Sequence, residues 1–575
     1  MTPSEPGGRG DSAKRRDVWL DAIPYLAVLI SCAPLLFGGF PQGHDWPFEL
    51  ARVAEFSHAV AEGQLPPHWA PNLYGGYGSP VFLFYAPAFA ALAAAASALL
   101  DSTTAGASLV LVCFSIVGVF AIRRLFDAIP EMDPRAGRIA ATVFALHPYL
   151  IGDKLIRNAN AEFAALCLLP FVVQGLLLLG RRPRRGAIVI AGGLAAVALS
   201  HTLTTLIALV LLAGGTLWLH GWRGAARSRS ALAAGVALGL LIAVFFLLPA
   251  VLLQDAVRLD DLLRGKFDFH RQWKPIGEFF GYSQFFSAGA LTPILLALAV
   301  WVCIRNFRDG SAERRILTGM LVAALVFIGL QLPISTALWE VLPGLPFVQF
   351  PWRFMGPLAL VSTVAGAAAI ARVLAQFPSA YRGRLEVAVF AVCVANAWPQ
   401  LASYRSLSHG QIDQIEFATQ PGQLRREALN VTVLDEYLPT GADSAVWKRV
   451  ARTRSRSWRI VGAKADVELI EDKGSGLSLH VDAPAGTRLR LARWYFPGWE
   501  AQLDGAPVPI EFNRSGSIDV ALPAPGGEFE LVRRPPVSRQ VGLALSALGF
   551  GLWLTLYLVD GRRQKLDRAA KPAPI

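Results

Sequence analysis

The stretch VFLFYAPAFAALAAAASALL, Val81–Leu100, is apolar and nearly long enough to cross a bilayer. Its placement decides the side of every segment after it. If it crosses, Arg123, Arg124, Arg135 and Arg138 fall outside. If it stays on the outer side as a juxtamembrane or re-entrant helix, all the short basic loops land in the cytoplasm. These are the N-terminus, 121–138, 181–185, 221–229, 305–315, 372–384 and the tail after 560. Their Lys and Arg then outnumber those of the short outer loops by about three to one, which is the orientation the positive-inside rule favours. On that reading 81–100 stays outside and both termini are cytoplasmic.

Working outward, the chain has 575 residues, of which 54% are hydrophobic and only 17% charged, and its apolar residues fall in long blocks. A polytopic helical membrane protein of mainly α class is expected. The block Val18 to Phe40 follows Lys14-Arg15-Arg16 but exceeds the h-region of a signal peptide and lacks an Ala-x-Ala cleavage site, so it reads as a retained span. Cys32, Cys113, Cys167, Cys303 and Cys393 all lie in apolar blocks, where they serve packing rather than disulfides. The formal charge of +12 sits in short loops that orient spans, which argues against nucleic acid as a partner. A Walker loop, His-Glu-x-x-His, paired Cys-x-x-Cys and Gly-x-Ser-x-Gly are absent, which argues against an ATP-driven pump or a protease.

About twelve transmembrane helices follow, at 18–40, 104–122, 136–151, 161–180, 186–200, 202–220, 230–253, 288–305, 316–333, 353–373, 384–402 and 538–560. The expected organisation is a tail at 1–17, a membrane module at 18–402 with outer loops 41–103, 152–160 and 254–288, an outer domain at 403–537, the last helix and a tail at 561–575. In 403–537 charges and Gly/Pro turns appear, and alternating runs such as Leu477-Ser478-Leu479-His480-Val481 and Phe529-Glu530-Leu531-Val532 read as strands, so this domain is β-rich. Its run Arg493-Trp494-Tyr495-Phe496-Pro497-Gly498-Trp499-Glu500 suits either sugar rings or a sandwich core with a Pro-Gly turn. Asn430-Val431-Thr432 is a formal glycosylation sequon that reads as chance.

Loop 41–103 holds the strongest chemical signal. Gly43-His44-Asp45-Trp46-Pro47 precedes an amphipathic helix, Phe48 to Glu62, expected on the membrane surface. Asn72-Leu73-Tyr74-Gly75-Gly76-Tyr77-Gly78-Ser79-Pro80 then supplies turns among aromatics. Asp45 fits a base held just outside the hydrocarbon, and equally an N-cap of the helix behind it.

Gly-His-Asp-Trp-Pro, Leu65-Pro66-Pro67-His68-Trp69, the Gly-Tyr-Gly-x-Pro turn and Phe84-Tyr85-x-Pro87 together resemble bacterial membrane proteins labelled 6-pyruvoyl-tetrahydropterin synthase-related. The zinc-binding histidine cluster of the soluble synthase has no counterpart here. In layout the chain is similar to GT-C-type membrane glycosyltransferases, and further matches are Arg157-Asn158-Ala159-Asn160-Ala161-Glu162, Leu247-Leu248-Pro249, Pro351-Trp352-Arg353-Phe354 and Tyr495-Phe496-Pro497-Gly498-Trp499. The resemblance implies an inverting enzyme of the bacterial cytoplasmic membrane, active in cell-envelope polysaccharide assembly. Its donor would be a polyprenyl-phosphate sugar and its acceptor a lipid or glycan.

Asp45 then becomes the general base and Glu162, in the second outer loop, a second catalytic acid. Two carboxylates could hold a divalent metal, or Glu162 could pair with Arg157; no other cofactor is implied. Substrate binding falls to His44, Arg52, Arg157, Asn158, His201, Arg271, Lys274 and Arg353, because a departing phosphate needs cations and arginine's fork suits it. Arg264 belongs to the same basic loop. For the loop residues the alternative is interfacial anchoring, and for His201 a satisfied buried histidine. Two other functions fit the composition: a transporter or flippase of lipid-linked sugars, and a noncatalytic envelope-assembly protein whose working part is the outer domain.

Overall fold

In the computed structural model the described residues are 8–129, 132–221, 226–281, 286–305, 311–419, 437–443, 445–446, 457–462, 464–523 and 525–569. The Asn430 sequon lies outside them. The first half of the chain forms α1 (Gly8–Phe37), α2 (Trp46–Ala61), α3 (Val81–Phe84), α4 (Ala88–Leu100), α5 (Thr103–Phe126), α6 (Pro134–Ala145), α7 (Pro148–Gly152), α8 (Asn160–Leu178), α9 (Pro183–Ser200), α10 (Thr202–His220), α11 (Ala226–Ile242) and α12 (Val244–Leu252). The second half forms α13 (Ile276–Phe280), α14 (Leu291–Arg305), α15 (Ala312–Gly329), α16 (Thr336–Val341), α17 (Met355–Leu374), α18 (Ser379–Ala402), α19 (His409–Thr419) and α20 (Val537–Ala569).

Each of the twelve expected spans coincides with a helix, but they are not equivalent. Among the described residues eight helices are long and apolar enough to cross a membrane, and ten if two bent pairs each count as one. The bends are 76° between α11 and α12 and 89° between α15 and the Pro333–Val341 arm. α14, with 15 residues, is a shorter apolar helix. The chain is thus a multi-pass, mainly helical membrane protein. Helix α1 begins at Gly8, inside the stretch expected as a tail, and its apolar part is Trp19–Phe37.

The helices approach closely where glycine removes the side chain. α8, α9 and α11 pack in sequence, and a Cβ on Gly175 or Gly186 would meet the opposing helix's backbone within 3.0 Å. The stretch 81–100 is broken at Tyr85-Ala86-Pro87 into α3 and α4, because proline cannot donate to the preceding turn. Neither piece reaches the roughly 20 residues a span requires.

The expectation that the helix after Asp45 lies on the membrane surface is corrected. α2 packs against α4, α5 and α19, and Leu50, Val53, Ala54 and Glu55 are fully enclosed. An amphipathic pattern records that one face is covered, not by what. Glu55 is enclosed because it holds the turn that follows: Asn72 donates both its backbone N–H and its Nδ2 to the carboxylate at 2.9 Å.

Residues 458–533 form two antiparallel sheets. β1 (Trp458–Val461), β4 (Arg488–Trp494), β8 (Ser517–Ala521) and β7 (Ile510–Phe512) pair in that order. The second sheet runs β2 (Asp466–Lys473), β3 (Gly476–Asp482), β9 (Gly527–Arg533), β5 (Trp499–Leu503) and β6 (Ala506–Val508). The two strands read from alternation are neighbours, with Leu477 opposite Leu531 and Leu479 opposite Phe529, all buried.

In the aromatic run at 494–499, Trp494, Phe496 and Trp499 are buried, and Tyr495 is half-buried against Phe512. Trp494 stacks on Tyr77 at 4.3 Å, and Trp499 and Phe496 pack on Trp69 at 5.5 and 6.2 Å. Trp494 N–H also donates to Tyr77 O at 2.9 Å. The β-rich unit is therefore seated on the glycine-rich turn of loop 41–103.

Burial raises the Glu55 carboxyl to a pKa of about 7, so the folded protein favours its protonated form. That stabilisation is complete below the ordinary carboxylate range and is lost as pH rises through about 7. Glu55→Gln is permanently neutral. The stability difference is therefore expected to move in the variant's favour by about 3 kcal/mol between pH 4.5 and 8. Melting temperatures of both proteins across that range check it, and a constant gap contradicts it.

Candidate functional site

The site is built on the backbone of residues 40–45, held from two directions. On one side Gln42 N–H donates to Arg405 O at 2.7 Å, and Leu407 N–H to Phe40 O at 2.9 Å. On the other, Gly43 N–H donates to Asn158 Oδ1 at 2.7 Å, His44 N–H to Ile156 O at 3.0 Å and Asp45 N–H to Arg157 O at 2.7 Å. Four consecutive amides thus tie the first loop to its neighbours, and an edge so fully satisfied has little freedom to slip.

The partner segment is unusual. After α7, Asp153–Arg157 makes a single π-helical turn that Asn158 closes in the left-handed conformation, φ +57°. Such turns displace side chains from the regular helical track and recur at functional sites. Here the turn brings Asp153, Arg157 and, at the start of α8, Glu162 together. Asn158 spends its amide on Gly43 and on Lys154 O, 3.2 Å away, so its visible work is to hold the loop.

Arg157 lies between two acids. It donates to Asp153 Oδ1 and, at 3.2 Å, to Glu162 Oε2, and its guanidinium lies over Trp352 at 4.6 Å. Glu162 also accepts from Tyr149 OH at 2.7 Å, and the same Oε2 lies 3.7 Å from Arg353 Nε. Arg353 donates to Val348 O at 2.9 Å and Gln349 Oε1 at 3.1 Å. Asp153, Arg157, Glu162 and Tyr149 are buried, whereas Asp45, His201 and Arg353 are partly exposed above them.

Asp45 occupies the N-cap position of α2, but its side chain makes no capping hydrogen bond; its carbonyl accepts from Phe48 and Glu49 instead. The carboxylate lies within electrostatic range of Arg157, Asp153 and Glu49. His201 caps α10 through Nδ1, 3.4 Å from Thr204 N and 2.8 Å from its hydroxyl, and lies close enough to Glu162 to feel its charge.

Sequence reasoning passed over Glu49. It lies one turn beyond Asp45, is buried, and accepts from Arg52 at 2.5 Å and from Tyr85 OH at 2.9 Å, while the Arg52 guanidinium stacks 3.6 Å from the Tyr85 ring centroid. Burial raises the Glu49 carboxyl above the usual carboxylate range despite these contacts. The i, i+4 spacing from Asp45 was the available signal. Arg52, expected at the substrate, is thus engaged with Glu49. Among the described residues no hydrogen bond or ion pair joins Arg271 or Lys274 to the Arg157 cluster; Arg271 instead stands 3.9 Å from Asp268 on the exposed part of its loop.

Among the described residues no group of three or more His, Cys, Asp and Glu side chains is disposed to hold a metal ion. A cation between Asp153 and Glu162 would meet the Arg157 guanidinium already bonded to both.

No protein-family model matches the chain. A curated relative, an uncharacterized protein of Lactococcus lactis subsp. cremoris (strain MG1363), is 24% identical over 389 residues, which cover 61% of this chain and 58% of that protein. Among solved structures, arabinofuranosyltransferase AftD from Mycobacteria is similar with a TM-score of 0.45 and 18% identity, over 67% of this chain and 26% of AftD. Oligosaccharyltransferase AglB from Archaeoglobus fulgidus gives a TM-score of 0.40 and 16% identity, over 73% of this chain and 61% of AglB. ArnT from Cupriavidus metallidurans, solved with undecaprenyl phosphate, gives 0.36 and 14%, over 70% and 68%. The chain therefore spans a little over half of the curated relative and about a quarter of AftD.

Gly43 has no room for a side chain. A Cβ there would collide with Asn158 Oδ1 and lie 2.6 Å from Ile156 O. Gly43→Ala is expected to lower stability by about 1–3 kcal/mol, measured by thermal unfolding, although it changes no charge. An unchanged melting temperature contradicts the proposed locking of the first loop.

Proposed function

We propose that the chain is a GT-C-type membrane glycosyltransferase that moves a sugar from a polyprenyl-phosphate donor to a lipid or glycan acceptor. It works at the outer face of the bacterial cytoplasmic membrane and inverts the anomeric carbon. The single observation that carries this reading is the Asp45 carboxylate: it is off its own helix amides, partly exposed, and fixed by its backbone against the Arg157 segment. The sequence resemblance in the first loop supports the same reading.

In the proposed reaction Asp45 accepts the proton of the acceptor hydroxyl as the oxygen attacks the anomeric carbon. The bond from that carbon to the phosphate oxygen breaks, and polyprenyl phosphate departs with the electron pair. Arg353, partly exposed and held by Val348, Gln349 and Glu162, stabilises the charge on the leaving group. Glu162 is then a positioning residue rather than a second acid, since both of its oxygens are already engaged. His201 is a second candidate for the phosphate, with a neutral-form Nε2–H available once Nδ1 accepts from Thr204.

The test is Asp45→Asn in the full-length protein, measuring sugar incorporation into lipid or polysaccharide. Loss of a positioned base is expected to slow transfer by about 10²–10⁴-fold with the melting temperature preserved. Undiminished transfer by folded protein removes Asp45 from the reaction.

A further inference from the structure

Where loop 41–103, the end of β9 and the start of α20 meet, two guanidinium groups are enclosed. Arg533 and Arg539 are each 3% exposed, and among the described residues neither forms an ion pair with Asp or Glu. Burial alone acts on Arg533 and pushes its pKa down to about 9. An enclosed cation is costly unless it is paired, and arginine does not escape by losing its proton near neutral pH.

The local contacts satisfy only part of each fork. Arg533 Nη1 donates to Pro497 O at 2.7 Å, and the rings of Trp69, Phe496 and Trp499 stand 4.6, 5.0 and 5.7 Å from its Cζ. Aromatic faces engage the flat of a guanidinium, and its in-plane N–H groups still need acceptors. Arg539 donates Nη1 to Phe82 O at 3.3 Å and Nη2 to Pro67 O. Among the described residues Arg533 Nε and Nη2 and Arg539 Nε have no hydrogen-bond partner, nor do Trp69 Nε1 and Gln64 Nε2, while the His68 ring interacts with the Arg533 and Pro66 backbones.

All five residues converge on one turn. Gln64 Oε1 accepts from the backbone of His68 and Trp69 at 3.2 and 3.0 Å, Trp69 lies under Arg533, and Arg539 reaches the carbonyl of Pro67. His68 feels both arginines; burial, then their charge, lowers its pKa to about 3, so it is neutral at pH 7. A cluster of buried N–H donors and positive charge selects an anion with several acceptor oxygens, and it disfavours cations. The apolar run Val537–Leu566 begins at this point, so the cluster stands at one end of a candidate span, where a lipid phosphate is within reach.

We propose that Gln64, His68, Trp69, Arg533 and Arg539 form a binding site for a phosphate-type oxyanion, from a lipid headgroup or free in solution, that seats the β-sandwich on the helical module. Among the described residues no hydrogen bond or ion pair joins this site to the Arg157 cluster, so it is a second site.

The test measures melting of purified full-length protein in neutral detergent. One arm compares sodium phosphate with sodium chloride at equal ionic strength; the other compares added phosphatidylglycerol with phosphatidylcholine. A rise of about 2–4 °C is expected with saturating probe in at least one arm. A rise with phosphate identifies a free anion as sufficient, and a rise with phosphatidylglycerol alone identifies a headgroup. The rise should fall by half or more in Arg533→Gln and Arg539→Gln, and persist in Arg534→Gln, whose exposed side chain pairs with Glu500. If a glutamine variant does not fold, the lysine variant replaces it, with the same fall expected because lysine lacks the planar fork. No rise in either arm, or an equal rise in the Arg533 and Arg539 variants, overturns the site.

Discussion

Arg157 is the residue on which the rest of the site depends. It is the last residue of the apolar helical segment Pro134–Arg157 and is itself buried, where an unpaired guanidinium would be prohibitively costly. Its charge is offset by Asp153 and Glu162 and its face is covered by Trp352. That pairing fixes the π-helical turn, and the carbonyl of the same residue receives the Asp45 amide. One buried cation therefore sets the position of a partly exposed acid in a different loop. Through Glu162 it also places Arg353, which comes from the start of a third segment, Pro351–Leu374.

The β-sandwich is bound to this arrangement through the same first loop. α2 leads away from Asp45, and just beyond its end the Glu62 carboxylate accepts the amides of Gly474 and Ser475 at 2.7 and 3.2 Å. The turn beyond it carries Trp69 and Tyr77 into the aromatic seam with Trp494, Phe496 and Trp499. Loop 41–103 is thus a connector: one end presents the acid and the other receives the sandwich.

Much of this was legible in the sequence, for identifiable reasons. Spans announce themselves by length and apolarity, and strands such as Leu477–Val481 by alternation. The 76° and 89° bends were not legible, because a bend is set by what packs against the helix. The surface placement of α2 failed for the same reason, since amphipathicity does not say whether lipid or protein covers the apolar face. The aromatics at 494–499 were visible as aromatics, and their burial against Trp69 and Tyr77 required a partner over 400 residues earlier. At the site, Asp45, Arg157, Glu162 and Arg353 were named as candidates from loop position, charge and the family resemblance, and the structure brings their segments together. Glu49 was missed because an acid in the first turn of a helix reads as ordinary dipole compensation.

The most direct measurement is a cryo-EM structure of the full-length chain with a polyprenyl phosphate bound. The expected result has the phosphate against Arg353, with the Asp45 carboxylate facing it across a gap that one acceptor hydroxyl fills. A phosphate bound away from Arg353, or an Asp45 carboxylate folded onto the first amides of α2, contradicts it.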